Sequence, residues 1–140
     1  MTELLVLRAV VEAPPDEVAG LLLDVRPGGR SPIAARGTVE ETDIGDQFVM
    51  VLDGSRLSVT VDRAARTVTQ QGEWWYRGEH SVEPDQRGCV VVHRILNVAA
   101  TAGWAVRFVS RAVVRNAPAR FAADVHHLAR TLGVTFRLAE

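Results

Sequence analysis

The chain has no lysine, and all 16 of its basic residues are arginine. This excludes Schiff-base catalysis, which needs a side-chain amine, and the phosphate-binding loop that is completed by a lysine. Cysteine is reduced to Cys89, so no internal disulfide can form and packing alone must hold the fold. Long apolar runs are missing. The longest are Leu4–Leu7 and the stretch around Ala112–Val114, far short of the roughly 20 residues that cross a bilayer. Neither charge is in excess, since 16 basic residues face 17 acidic ones for a net charge of -1. Without a block of like charge there is no nucleic-acid footprint, so no nucleic-acid partner is expected. Met1-Thr2-Glu3 lacks the basic start and apolar stretch of an export signal. The expectation is a cytoplasmic protein with no stable membrane insertion.

What is present is enough for one core. At 140 residues, 47% of them hydrophobic, two domains would each be marginal, so residues 1–140 are read as one domain. Leu5, Leu7, Ala9 and Val11 alternate with Arg8 and Glu12 on the other face, which is strand periodicity over Leu4–Ala13. Pro14-Pro15-Asp16-Glu17 opens a helix of about two turns, with proline tolerated and carboxylates favoured in the first turn. Val18, Leu21, Leu22 and Val25 supply its apolar stripe. Pro27-Gly28-Gly29-Arg30-Ser31-Pro32 concentrates structure breakers and reads as a mobile rim loop.

Strands follow over Gly37–Thr42, Gln47–Leu52 and Ser55–Val61, the last two joined by the hairpin signal Asp53-Gly54. That turn sets Leu52 opposite Ser55, Met50 opposite Leu57 and Phe48 opposite Val59, with one apolar face inward. Arg66–Gln71 continues the meander, and Trp74–Glu83 with Val90–Val98 forms the last hairpin. Beyond Gly103 the period turns helical, through Trp104, Phe108 and Ala112 and then Phe121, Val125, Leu128 and Leu132. Pro118, with Asn116 as N-cap, is expected to kink or break this helix near Arg115–Ala117, and Gly133 to cap its end. The class is α+β.

That order, with Val11-Glu12-Ala13-Pro14-Pro15-Asp16-Glu17-Val18, Trp75-Tyr76-Arg77-Gly78-Glu79-His80-Ser81-Val82-Glu83-Pro84 and Val91-Val92-His93-Arg94-Ile95-Leu96-Asn97-Val98, resembles the START-like helix-grip superfamily, often labelled SRPBCC. It includes lipid-transfer domains, ligand carriers and aromatic polyketide cyclases. The resemblance covers nearly the whole chain and implies a curved antiparallel sheet wrapped around a long, kinked C-terminal helix, with a cavity between them for a hydrophobic small molecule. In many relatives a Trp-Pro pair follows the first helix, whereas this chain reads Asp24-Val25-Arg26-Pro27-Gly28-Gly29. The rim therefore departs from the pattern.

The last hairpin carries the most chemistry. Placing Glu83 opposite Val90 pairs Val82–Val91, His80–His93, Gly78–Ile95 and Tyr76–Asn97 on one face, and Glu79–Arg94 and Arg77–Leu96 on the other. Glu79–Arg94 then makes an exposed ion pair, while Tyr76, His80, His93 and Asn97 point to the concave side. His80 and His93 are the candidate acid–base pair; adjacent histidines of a strand pair also serve as hydrogen-bonded packing residues. Tyr76 and Asn97 either orient a ligand oxygen or bond to each other. Gly78 opens volume or lets the strand bend. Trp74, by parity with Tyr76, lines the cavity, and Phe48, Met50, Phe108, Phe121 and Val125 complete its apolar wall.

No metal or cofactor is expected, because Cys89 and His93 are about 13 Å apart along a strand. His126 and His127 fall outside the apolar stripe, and Arg107, Arg111, Arg115, Arg120 and Arg130, with Asp124 and Glu140 nearby, read as a solvated face. Three functions stay open. One is a carrier or sensor of a hydrophobic small molecule, and another a polyketide cyclase, aromatase or dehydratase using His80 or His93. The third is an interaction module whose outer face around Trp75, Val90, Val92 and Leu96 meets a partner, a second copy of the chain included.

Overall fold

The computed structural model describes residues 1–139. β1 (Thr2–Val11) leads into α1 (Pro15–Leu22) and then the meander β2 (Thr38–Glu41), β3 (Gln47–Leu52), β4 (Ser55–Asp62), β5 (Thr67–Gln71), β6 (Tyr76–Asp85) and β7 (Gly88–Asn97). A single 3₁₀ turn (Gly103–Ala105) precedes α2 (Val106–Val109) and α3 (Arg111–Leu132), and β8 (Phe136–Leu138) follows. All neighbouring strands are antiparallel, in the order β2-β3-β4-β5-β6-β7-β1-β8. The sheet curves without closing into a barrel, and α3 packs on its β1–β7–β8 side while α1 covers β6 and β7. This is the helix-grip arrangement.

Alternation drives the core. Ala9 and Val11, Phe48, Val59 and Val61, Val68, Val82, and Cys89 and Val91 turn one way from successive strands and meet Val18, Leu21 and Leu22 of α1 and Phe121, Val125 and Leu128 of α3. Both hairpin registers are those expected from their turns, Leu52 opposite Ser55 and Glu83 opposite Val90.

The structure departs from the sequence expectations at four places. α3 runs unbroken through Pro118 and takes in Asn116, and the helical interruption lies instead at Ser110, which ends α2 and begins α3. Pro118 sits on the exposed side of the helix, where its ring and the carbonyl it orphans stay in water. β8 was not anticipated, since three residues carry too little periodicity; it pairs Ala9, Val10 and Val11 with Leu138, Arg137 and Phe136. Glu79 pairs with Arg77 on its own strand at 3.0 Å, and Arg94 reaches Glu3 of β1 at 3.6 Å. Finally, residues 27–32 are tied down. Gly29 N–H donates to the Arg26 carbonyl and Ser31 N–H to that of Asp24, the Asp24 carboxylate takes Arg30 N–H, and Ser31 is buried. A side chain at Gly29 would collide with the Asp24 carbonyl oxygen and stand 2.8 Å from that of Arg26, so glycine is there to let the chain fold back on itself.

Candidate functional site

Burial on the concave face declines along β3, β4, β5, β6 and β7 toward the same end of the sheet. On β3 it runs from fully buried Phe48 through half-buried Met50 to exposed Leu52, and on β4 from Val59 to half-buried Leu57. β5 goes from Val68 to Gln70, β6 from Val82 and His80 to Tyr76, and β7 from Ile95 to Asn97. The register places these endpoints side by side, since Met50 pairs with Leu57, Gln70 with Gly78 and Tyr76 with Asn97. The result is a strip of half-buried side chains, Met50, Leu57, Gln70, Tyr76 and Asn97, along that end of the concave face.

The imidazoles stand at its inner end. His80 and His93 are stacked, with ring centroids 3.9 Å apart and planes 13° from parallel, and His93 is in turn nearly parallel to Phe121 at 6.2 Å. Both are buried, 5% and 7% exposed. His93 Nδ1 is 3.1 Å from the Glu79 carbonyl oxygen, and because a carbonyl only accepts, Nδ1 carries the proton and Nε2 keeps its lone pair. His80 Nδ1 is enclosed without a partner. Burial holds His80 well below the usual imidazole range, and the neighbouring His93 charge pushes the same way. Burial also lowers His93, against the pull of its bond to the Glu79 carbonyl. The pair is neutral at pH 7.

Tyr76 has folded over Gly78. A side chain on Gly78 would collide with the Tyr76 hydroxyl and stand 2.9 Å from its Cζ, so the glycine makes room for the phenol rather than for a guest or a bend. The Tyr76 ring also meets Trp75 edge-on at 5.5 Å. Burial raises the phenol above its ordinary range, with Arg120 of α3 pulling back. Asn97 does not bond to Tyr76; its Oδ1 accepts from Ala99 N–H at 3.0 Å and shapes the chain leaving β7.

Trp74 and Phe108 depart from their expected places. β6 starts at Tyr76, so strand parity does not extend to Trp74. It is 39% exposed, and its indole N–H donates to the Thr101 carbonyl at 2.9 Å, clasping the β7–α2 connection. Phe108 is 47% exposed and Trp104 is 76% exposed, neither packed on the sheet as a core anchor. Phe121 and Val125 are fully buried between helix and sheet, and of these two Phe121 touches the histidine stack.

Asp124, expected on a solvated face, is half-buried. It lies three residues after Phe121 and four before Leu128, a spacing that puts it on the edge of the apolar stripe. Arg120 stands one turn before it, on the flank whose charge reaches Tyr76. Burial pushes the Asp124 carboxyl up to about 6, against the pull of Arg120 and His127. His126 and His127 are exposed, as is Arg130. Two hollows lie away from the imidazoles and from this half-buried strip. One of about 290 Å³ is framed by Asp24, Arg26, Arg30, Asp46, Phe48 and Arg63, and one of about 330 Å³ by the convex-face residues Gln47, Ser58, Thr60, Thr69, Gln71 and Arg77. On that convex face Val92 and Leu96 are already covered, and Trp75 and Val90 half-covered, which leaves little of the apolar patch expected there.

No protein-family model and no curated protein matches the chain. Its fold is shared with solved structures. A protein from Thermobifida fusca, solved in solution, aligns over 91% of this chain and 93% of its own, at 21% identity and a TM-score of 0.57. The aromatase/cyclase Zhui from Streptomyces sp. R1128 aligns over 91% and 92%, at 18% identity and a TM-score of 0.51. DynU16, a protein of the dynemicin biosynthetic locus, aligns at 18% identity and a TM-score of 0.53, over 91% of this chain but 47% of that one.

Proposed function

We propose that the chain binds an apolar, ring-bearing small molecule in a trough along the half-buried strip, with the rings lying on Met50 and Leu57 and a polar edge toward Tyr76, Gln70 and the histidine stack. One observation carries this reading: the concave face is only half covered at the same end of five adjacent strands, which is unlike a finished core. A pocket of this kind holds its guest by apolar walls and a few fixed polar groups. Here the candidate polar groups are Gln70 and Tyr76, both half-buried at this end, with His80 Nδ1 enclosed and unpartnered deeper on the same face. The test is titration of purified protein with the fluorescent probe N-phenyl-1-naphthylamine. One molecule should bind per chain, and Leu57→Glu should weaken it by roughly tenfold by placing a charge on the apolar floor. Absence of saturable binding, or binding indifferent to Leu57→Glu, would refute the trough.

A second reading, turnover of a polyketide-like guest, is favoured by the protonation states. A neutral His93 with Nε2 as acceptor, a protonated Tyr76 and a carboxyl titrating near 6 at Asp124 form the set that proton transfer beside a carbonyl requires. Zhui, of the same fold, is an aromatase/cyclase. If this reading holds, His93→Ala abolishes cyclised product from a poly-β-keto thioester while probe binding survives. Product formation undiminished in His93→Ala, and in the His80→Phe, His93→Ala double variant, would leave carriage alone.

A further inference from the structure

Large exposed apolar side chains are few in this chain, and four of them, Trp104, Phe108, Val109 and Val113, fall within ten consecutive residues around α2 and the first turn of α3. Arginine is interleaved with them. Arg107 and Arg111 lie over the Phe108 ring, 4.8 and 5.3 Å from its centroid, and Arg115 follows Arg111 at the next turn. No acidic residue occurs between Asp85 and Asp124, although the whole chain carries slightly more acid than base. None of Arg107, Arg111 and Arg115 makes an ion pair among the described residues, whereas all four arginines of the β2–β6 meander, Arg56, Arg63, Arg66 and Arg77, do. This is a local cationic, aromatic-rich surface on a protein of near-zero net charge.

We propose that the segment Trp104–Arg115 is a docking surface for an anionic lipid bilayer, entered to headgroup depth by Trp104 and Phe108 and held by Arg107, Arg111 and Arg115. Charge complementarity sets the sign of the partner. Shape selects lipid over an acidic protein: a tryptophan that is 76% exposed on a single 3₁₀ turn projects outward and offers no groove for a partner's anchor, while a fluid interface accepts protruding aromatics without complementarity. The guanidinium groups stacked on Phe108 stay charged and free to meet phosphates. This is peripheral binding, and no helix among the described residues is long and apolar enough to cross a membrane. If the trough binds an apolar guest as proposed above, the location has a use. The connection clasped by Trp74 and Thr101 brings this surface to the Tyr76–Asn97 end of the sheet, so docking would turn the open end of the trough toward the lipid from which a guest could enter.

Co-sedimentation with vesicles tests it, using the full chain and two compositions, phosphatidylcholine alone and equal parts phosphatidylcholine and phosphatidylglycerol. The wild type should pellet only with the anionic vesicles and release as salt is raised. Trp104→Ala with Phe108→Ala, and separately Arg107→Gln with Arg111→Gln, should each lower the affinity by roughly tenfold or more. These sites are exposed, and an unchanged circular dichroism spectrum confirms folding. Three results would overturn the proposal: no binding to anionic vesicles, equal binding by the variants, or patch-dependent binding to immobilised polyglutamate or to a second copy of the chain in place of vesicles. Naphthylamine titration without vesicles keeps the two proposals apart, since both patch variants should retain the probe site whether or not they bind lipid.

Discussion

At the scale of single residues, burial holds His80, His93 and Asp124 away from their ordinary protonation ranges, and pH reports on them with opposite signs. His80 and His93 resist protonation in the folded chain. Their contribution is therefore intact above the unfolded imidazole value near 6.5 and is lost as pH falls from there through their lowered folded values. Asp124 does the reverse. Its folded value of about 6 lies above the ordinary carboxylate value of 3.8, so its favourable contribution is complete below 3.8 and is lost as pH rises through 6. Asp124→Asn should accordingly stabilise the protein at pH 8 by about 1–2 kcal/mol and give no gain at pH 4. Urea midpoints at the two pH values check this, and an equal shift at both would remove ionisation as the cause. The alternation that aimed both histidines inward was visible in the sequence. Their stacking, and the fact that Tyr76 rather than a guest fills the space over Gly78, depended on rotamers that spacing does not specify.

At the scale of elements, two segments show where local signals were outweighed. Pro118 should have ended α3 by propensity alone, yet Ala117 on one side of it and Phe121 on the other are buried against the sheet, and tertiary packing keeps the helix whole. The proline still leaves the Val114 carbonyl without its helical donor. Pro118→Ala restores that bond and should raise stability by about 1–3 kcal/mol, read as a higher urea midpoint with unchanged slope. A lower midpoint would show that the helix needs the proline's shape. The 27–32 loop carries enough proline and glycine to be read as mobile, but its hydrogen bonds back to Asp24 and Arg26 fix it. Gly29→Ala should lower stability by about 2 kcal/mol and increase amide exchange at Gly28–Ser31. An unchanged midpoint and exchange pattern would mean that the close approach to Asp24 relaxes freely.

At the scale of the whole molecule, the sheet is open, and its two edges are managed differently. β2 ends one side with charged side chains, Glu40 paired to Arg56 at 2.6 Å. The other side would be β1, a ten-residue strand, without β8 laid along Ala9–Val11 and Glu12 N–H bonded to the Thr135 carbonyl. Removing residues 134–140 should leave α3 in place but expose this edge and cause concentration-dependent association. Sedimentation velocity that still finds the truncated chain monomeric across concentrations would show that β8 does not guard it.

By itself, the sequence determined the registers of two hairpins, the inward aim of Tyr76, His80, His93 and Asn97, and the order of elements from β1 to the C-terminal helix, though not β8. Period and turn chemistry act between near neighbours and fix which face of an element a side chain takes. Only the tertiary structure decided how well each face is covered. α3 lands over β1 and β7, which buries Phe121 and Val125, leaves Met50 and Leu57 half open, and sets Trp104 and Phe108 in solvent. Cover depends on where distant elements come to rest, and no local pattern in the chain encodes that distance.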